Sequence, residues 1–274
     1  MTNVAAVIVT HNSESVLDPC LRALQAQTTP PHTTVIVDSG SRSTTYLERA
    51  ADEYDVQWSR QDNIGFSRAN TIGFHLCPQA ADAVFFLNPD TFVDRAVIER
   101  SIRLLQLYPA LGCLTGRLLG YDIAKGTGTG RLDSTGIYRT WYGRWYDRGQ
   151  GELDCGQYDR AEIIPAACGA FMFCRRTALE EVALPGGQIF APDFFLYKED
   201  IELSLRLRKK GWHIGYAPDV VAYHGRGWSR NRKEMPWELR CSAARNEVLL
   251  YRRHPSIYML WALSKYLLVR GLKL

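Results

Sequence analysis

The 274-residue chain has no Cys-x-x-Cys pair. Its seven cysteines, Cys20, Cys77, Cys113, Cys155, Cys168, Cys174 and Cys241, are scattered and odd in number. That pattern argues against a disulfide framework and points to reduced thiols in a cytosolic protein. Helix-turn-helix, zinc-finger and RNA-recognition signatures are missing, and a net charge of +4 is mild, so nothing calls for nucleic acid. Met1-Thr2-Asn3 runs straight into an apolar strand, so no signal peptide is expected. No apolar run reaches the roughly twenty residues of a membrane span. The glycine run from Gly126 to Gly130 is not a dinucleotide fingerprint, because it neither follows the first strand nor opens an apolar helix. What is present is 46% hydrophobic content in a chain long enough for one large domain.

Val4 to Thr10 is an almost continuous apolar, β-branched run, the pattern of a strand buried on both faces of a parallel sheet. Ser13 follows as a helix N-cap ahead of Val16, Leu17, Leu21 and Leu24, and Val35-Ile36-Val37 makes a second buried strand. Asp38-Ser39-Gly40-Ser41 is a polar turn, followed by a helix through Leu47 and Ala50. Val56 to Ser59 reads as a strand, Ser67 to Leu76 as a helix and Ala83 to Leu87 as a strand. This alternation predicts a doubly wound α/β sheet with ligands at the carboxyl ends of its strands.

Carboxylates stand where such ends are expected, in Leu87-Asn88-Pro89-Asp90-Thr91 and in Tyr197-Lys198-Glu199-Asp200. One can hold a metal against a phosphorylated leaving group while another takes the proton of an attacking hydroxyl, which suits group transfer from an activated donor.

In order along the chain stand VIVTHNS, VDSGS, NIGFSRANTIG, LNPDT, GAFMFCRR, YKEDIELSLRLRKKG and YHGRGWS. In this succession the sequence resembles the inverting glycosyltransferases of family two, from Val4 to Arg253. The resemblance implies the GT-A fold: a Rossmann-like, mostly parallel twisted sheet flanked by helices, with a C-terminal helical extension. It divides the chain into a glycosyltransferase domain at 1–253, whose nucleotide-sugar half covers about 1–120, and an apolar, basic helix at 254–274.

The resemblance implies that Asp38 accepts the imide N–H of a pyrimidine base, although Asp38 would also serve as a plain turn cap. Thr10, Asn12, Asn63, Gly65, Asn70 and Asn88 fall in the donor site, with Gly65 permitting close backbone approach and Asn70 open to a purely structural role. Asp90 is the metal candidate, for Mg²⁺ or Mn²⁺. Asn88 replaces the first carboxylate of the fuller Asp-x-Asp form, as in the branch containing rhamnosyltransferases and galactofuranosyltransferases. His224 resembles the late histidine that completes the metal site. Arg226, Arg230, Arg232 and Lys233 would close over the diphosphate or form a solvated run.

Asp200 is the expected general base and Glu199 its orienting neighbour, while Glu202 and Arg206 suit a helix-surface ion pair. Gly169 leaves room for the acceptor. Trp141 and Trp145, in an aromatic stretch between Tyr121 and Gly156 that reads as a mobile acceptor loop, would stack on sugar rings or pack against the domain. The C-terminal segment, with Trp261, Tyr266, Lys265, Arg270 and Lys273, suits an interfacial helix, or packing on the domain or a second subunit.

The expected activity is metal-dependent transfer of L-rhamnose from dTDP-L-rhamnose to a glycan or polyprenyl-diphosphate-linked acceptor in surface-polysaccharide assembly. The expected location is the cytoplasm, peripheral on the inner face of the plasma membrane. Alternatives are a galactofuranosyl or hexosyl transferase using a UDP-sugar, a non-catalytic nucleotide-sugar-binding subunit and a sugar nucleotidyltransferase. The last needs a glycine-rich loop after the first strand, which His11-Asn12-Ser13 does not provide.

Overall fold

A computed structural model describes residues 3–226 and 236–272. The chain begins with β1 (Val4–Thr10), α1 (Leu17–Gln25), β2 (Thr33–Ser39), α2 (Thr45–Tyr54), β3 (Gln57–Gln61), α3 (Phe66–Leu76) and β4 (Ala83–Leu87). β5 (Thr91–Val93), α4 (Val97–Leu107), β6 (Leu111–Asp122) and β7 (Thr127–Ser134) follow, then a small hairpin of β8 (Ile137–Arg139) and β9 (Trp145–Asp147). The chain continues through β10 (Glu162–Ile163), β11 (Phe171–Arg175), α5 (Arg176–Glu181), α6 (Glu199–Lys209), β12 (His213–His224), α7 (Trp237–Arg253) and α8 (Met259–Leu272).

One large sheet has the order β10-β12-β6-β11-β4-β1-β2-β3, with β5 added on β12 and β7 on β6. Pairing is parallel across β4-β1-β2-β3, whereas β11 enters antiparallel between β4 and β6. The apolar run of β1 is explained by its two neighbouring layers. Val4, Ala6 and Ile8 face a core shared with α1, α2 and α4, while Ala5, Val7 and Val9 face one shared with α3, α5 and α6. Successive side chains point to opposite faces, so both sets must be apolar. Leu250, Tyr251 and Ala262 place α7 and α8 in the first of these cores. The described cysteines are free thiols.

Three local expectations differ. α1 begins at Leu17 with Val16 at its N-cap and no side-chain cap bond; Ser13 instead receives the N–H groups of Val16 and Leu17 on its carbonyl, forming a turn before the helix. The third strand is shifted, ending at Gln61. The segment read as a mobile loop contains strands, because β6 extends to Asp122 and the glycine run pairs with it, Tyr121 opposite Gly128 and Asp122 opposite Thr127.

Candidate active site

The carboxyl ends of β1 and β2 bring Thr10, Asn12 and Asp38 together. Asp38 is fully buried, and its carboxylate accepts hydrogen bonds from the Ser41 backbone at 3.0 Å, the Thr10 hydroxyl at 3.2 Å and the Ser41 hydroxyl. It therefore caps the turn, and a base N–H reaching it has only the remaining lone pair of Oδ2 to address. Asn12 adopts φ 51° and accepts the Arg42 N–H on its side chain. Asn63 is exposed beside this turn. Asn70 donates to the Phe66 carbonyl one helical turn back and is buried.

Gly65 stands at φ 81°, and the group that approaches it closely is Phe195, whose ring and carbonyl would lie 2.5 and 2.6 Å from an added Cβ. The close approach that Gly65 permits is thus made by Phe195. The neighbouring Phe66 N–H donates to the same Phe195 carbonyl at 2.8 Å, tying the start of α3 to the loop before α6.

A second cluster lies where β4, β7 and β12 end. His224 Nδ1 donates to Asp133 at 2.8 Å, and its Nε2 lies 3.4 Å from Asp90 Oδ1. Burial opposes charge on the imidazole, but the bond to Asp133 and the nearby Asp90 carboxylate outweigh it and raise the pKa to about 9. Burial would raise both carboxyls, yet each ends below its ordinary value, Asp90 through His224 and Asp133 through Arg226 and His224.

Arg226, expected over the diphosphate, is half-buried between carboxylates, with Nε 3.3 Å from Asp133 and Nη1 3.0 Å from Asp147. Asp133 and Asp147 were not singled out by the sequence reading. The available signal was an acidic residue closing a strand, Leu132-Asp133-Ser134, but it stood in a stretch read as loop. Arg230, Arg232, Lys233 and the remainder of the YHGRGWS motif after Arg226 lie outside the described residues.

Among the described residues no three His, Cys, Asp or Glu side chains form a ready metal-holding cluster. The donor set nevertheless fits a divalent ion that takes further ligands from its substrate. The 3.4 Å gap between His224 and Asp90 is long for a hydrogen bond. Asp90 would offer such an ion a carboxylate oxygen and His224 an imidazole nitrogen. Asn88 Oδ1 is also buried with no hydrogen-bond partner.

Asp200 opens α6. Its Oδ2 accepts the Gly169 N–H at 2.9 Å and its Oδ1 the Ile201 N–H at 2.8 Å, so the carboxylate is held by backbone on both oxygens. The room expected beside Gly169 is thus taken by Asp200, which an added Cβ would meet at 3.2 Å. Burial raises the Asp200 pKa, while the Gly169 N–H restrains the rise. Glu199 is buried with Oε2 unpartnered, and burial followed by the Asp200 charge pushes it up to about 8.

Before Glu199, Tyr197 and Lys198 both stand at φ 76°, a left-handed conformation disfavoured for side chains of their size. The buried Asn246 amide of α7 donates to the Leu196 and Tyr197 carbonyls at 2.8 and 2.9 Å and holds this turn. Glu202, expected at the surface, is 1% exposed; its pairing with Arg206 at 2.9 Å is correct, but the pair lies inside the protein.

The base and the metal candidates meet at one segment. Arg226 Nη2 lies 3.8 Å from Cys168 Sγ, the next N–H is that of Gly169 on Asp200, and the Ala170 carbonyl receives the Asn88 N–H at 3.1 Å.

The two tryptophans separate. Trp145 is 4% exposed in the core beneath Arg139, which corrects its assignment to acceptor stacking: β9 turns it inward. Trp141 is 86% exposed and edge-on to Tyr142, which contacts Trp261 of α8.

Solved structures of similar fold include GalNAc-T7 with UDP, GalNAc and Mn²⁺, with a TM-score of 0.69 and 17% identity over 91% of this chain and 48% of that one. Another is the mannosyltransferase PcManGT from Pyrobaculum calidifontis in complex with GDP-Man and Mn²⁺, with a TM-score of 0.61 and 16% identity over 98% and 70% of the two chains. A third is S. aureus TarS 1-349 in complex with UDP, with a TM-score of 0.56 and 14% identity over 97% and 72%. This chain spans about half the length of the GalNAc-T7 chain. These likenesses establish a GT-A fold. No curated protein matches the sequence. The profile described as glycosyltransferase-like family 2 matches residues 2–245, nearly the whole chain, and the protein belongs to that family.

Proposed function

We propose that this glycosyltransferase moves a sugar from a nucleoside-diphosphate donor to an acceptor hydroxyl in one displacement that inverts the anomeric carbon. The observation that carries the reading is the Cys168–Ala170 segment, which supports the Asp200 carboxylate on one side and contacts Arg226 and Asn88 on the other. Asp200 takes the hydroxyl proton. Burial makes it a stronger base than an exposed aspartate, and its two backbone bonds hold it still. Glu199, kept neutral by burial, leaves Asp200 as the charged member of the pair. Asp90 and His224, with Asn88 beside them, would hold Mg²⁺ or Mn²⁺, and such an ion would supply positive charge against the diphosphate leaving group. Asp133 keeps the His224 ring in orientation. Mn²⁺ in the GalNAc-T7 and PcManGT structures supports a divalent ion.

The favoured donor is dTDP-L-rhamnose, supported by the Asn88-Pro89-Asp90 form of the metal loop; a UDP-hexose or UDP-galactofuranose is the second reading. The acceptor is a glycan or a polyprenyl-diphosphate-linked sugar. Residues 1–253 act as the transferase unit, with 254–274 as its C-terminal appendage.

A panel of nucleotide sugars, assayed with and without Mn²⁺, tests the proposal. Metal-dependent release of nucleoside diphosphate from dTDP-L-rhamnose is expected. Asp200→Asn should reduce turnover at least about a hundredfold with donor binding retained. Binding without turnover of any donor would leave the non-catalytic subunit as the answer.

A further inference from the structure

α8 is an inverted surface helix. Its inner side is accounted for: Ala262 is fully buried, Lys265 is paired with the buried Glu247 of α7, and the Val269 carbonyl receives the Trp237 indole N–H at 3.0 Å. The opposite side carries Leu260, Leu263 and Leu267 at helical spacing, 73, 42 and 67% exposed, with Leu268 and Leu272 beside them and Ile257 just before. A globular helix turns its apolar stripe inward and its polar face to water. Here the stripe faces out.

Charge says what covers it. From Arg252 to Leu274 the sequence has five Lys or Arg residues and no Asp or Glu. Asp193 pairs with Arg253 and Glu247 with Lys265. Arg252 is exposed at the end of α7, and Arg270 bonds only the neutral Tyr266 hydroxyl among the described residues. A two-fold pairing of such helices would bring like charges together, because the segment from Arg252 to Leu274 brings no carboxylate of its own to balance them. An anionic lipid surface supplies both the acyl chains for the leucines and the negative charge. The exposed Trp141, linked through Tyr142 to Trp261, adds an amphipathic ring next to the helix.

Among the described residues no helix is long and apolar enough to cross a membrane, and fourteen residues span only about 21 Å. The geometry points to α8 as a docking face that lies flat on an anionic leaflet, its leucines among the acyl chains and Arg252 and Arg270 at the headgroups. The inference rests on this surface alone and does not depend on the donor.

Sedimentation of the full chain with vesicles tests it, using phosphatidylcholine alone and phosphatidylcholine with about a third phosphatidylglycerol. Anionic vesicles should bind at least about tenfold more protein than neutral ones, and added salt should reduce the difference. Leu260→Glu with Leu267→Glu should abolish binding, and Arg252→Glu with Arg270→Glu should remove the preference for anionic lipid, both pairs with unchanged melting temperature. The proposal is overturned if the wild-type chain ignores both vesicle types, or if it forms a dimer that the leucine substitutions dissociate while vesicle binding stays as it was.

Discussion

Phe195 occupies the space that any side chain on Gly65 would need. An added Cβ would stand 2.5 Å from its ring, and the Gly65 backbone at φ 81° already excludes most other residues. The contact joins the start of α3 to the loop before Asp200. Gly65→Ala should therefore destabilise the protein by more than about 2 kcal/mol in urea unfolding, from backbone strain plus the displaced ring. Stability equal to wild type would show that the two segments move apart freely.

Asp133 should act on the metal through His224. Asp133→Ala is expected to raise the Mn²⁺ concentration needed for half-maximal donor binding by about 10–100-fold, the usual loss when a metal-bound histidine loses its carboxylate partner. Calorimetric titration with Mn²⁺ and nucleoside diphosphate measures it without turnover. A lowered melting temperature with unchanged metal requirement would assign Asp133 a structural role only.

Asn246 clamps the left-handed turn at Tyr197 and Lys198. Removing its amide in Asn246→Ala leaves two carbonyls without their donor, at a cost of about 1–3 kcal/mol. Because the turn aims Asp200 and not the donor site, turnover should fall at least about tenfold with donor KM little changed. Asn246→Asp keeps the shape without the donor and should not rescue. Equal losses in kcat and donor affinity would speak against an aiming role.

Glu199 makes stability depend on pH. Its carboxyl is raised from 4.5 to about 8, by burial first and the Asp200 charge second. In that window the folded chain keeps a proton that the unfolded chain has released, so raising pH through it removes stability. Glu199→Gln stays neutral throughout. Between about pH 6 and about pH 9 the variant should lose less melting temperature than wild type. Parallel curves would show that Glu199 is already ionised in the fold.

The periodicity of the first ninety or so residues was enough to read the parallel half of the sheet, because a strand buried on both faces must be apolar at every position, as Val4 to Val9 are. Asp90 and Asp200 are candidates for a related reason, since polar groups that interrupt such patterns stand at strand ends and helix starts, whereas His224 is a candidate through the family resemblance. Tertiary structure alone decided what each of them touches. Asp133 comes from a strand hidden in a glycine-rich stretch, since edge pairing with β6 depends on a partner and not on local composition. Asn246 reaches the turn before Asp200 from α7, about fifty residues away. Trp145 and Trp141 lie in the same short stretch, yet one faces the core and the other water, because the β8–β9 hairpin sets which way each ring points. The outward leucines of α8 belong to this second class as well: sequence shows an apolar helix, and only its packing on α7 shows which side remains uncovered.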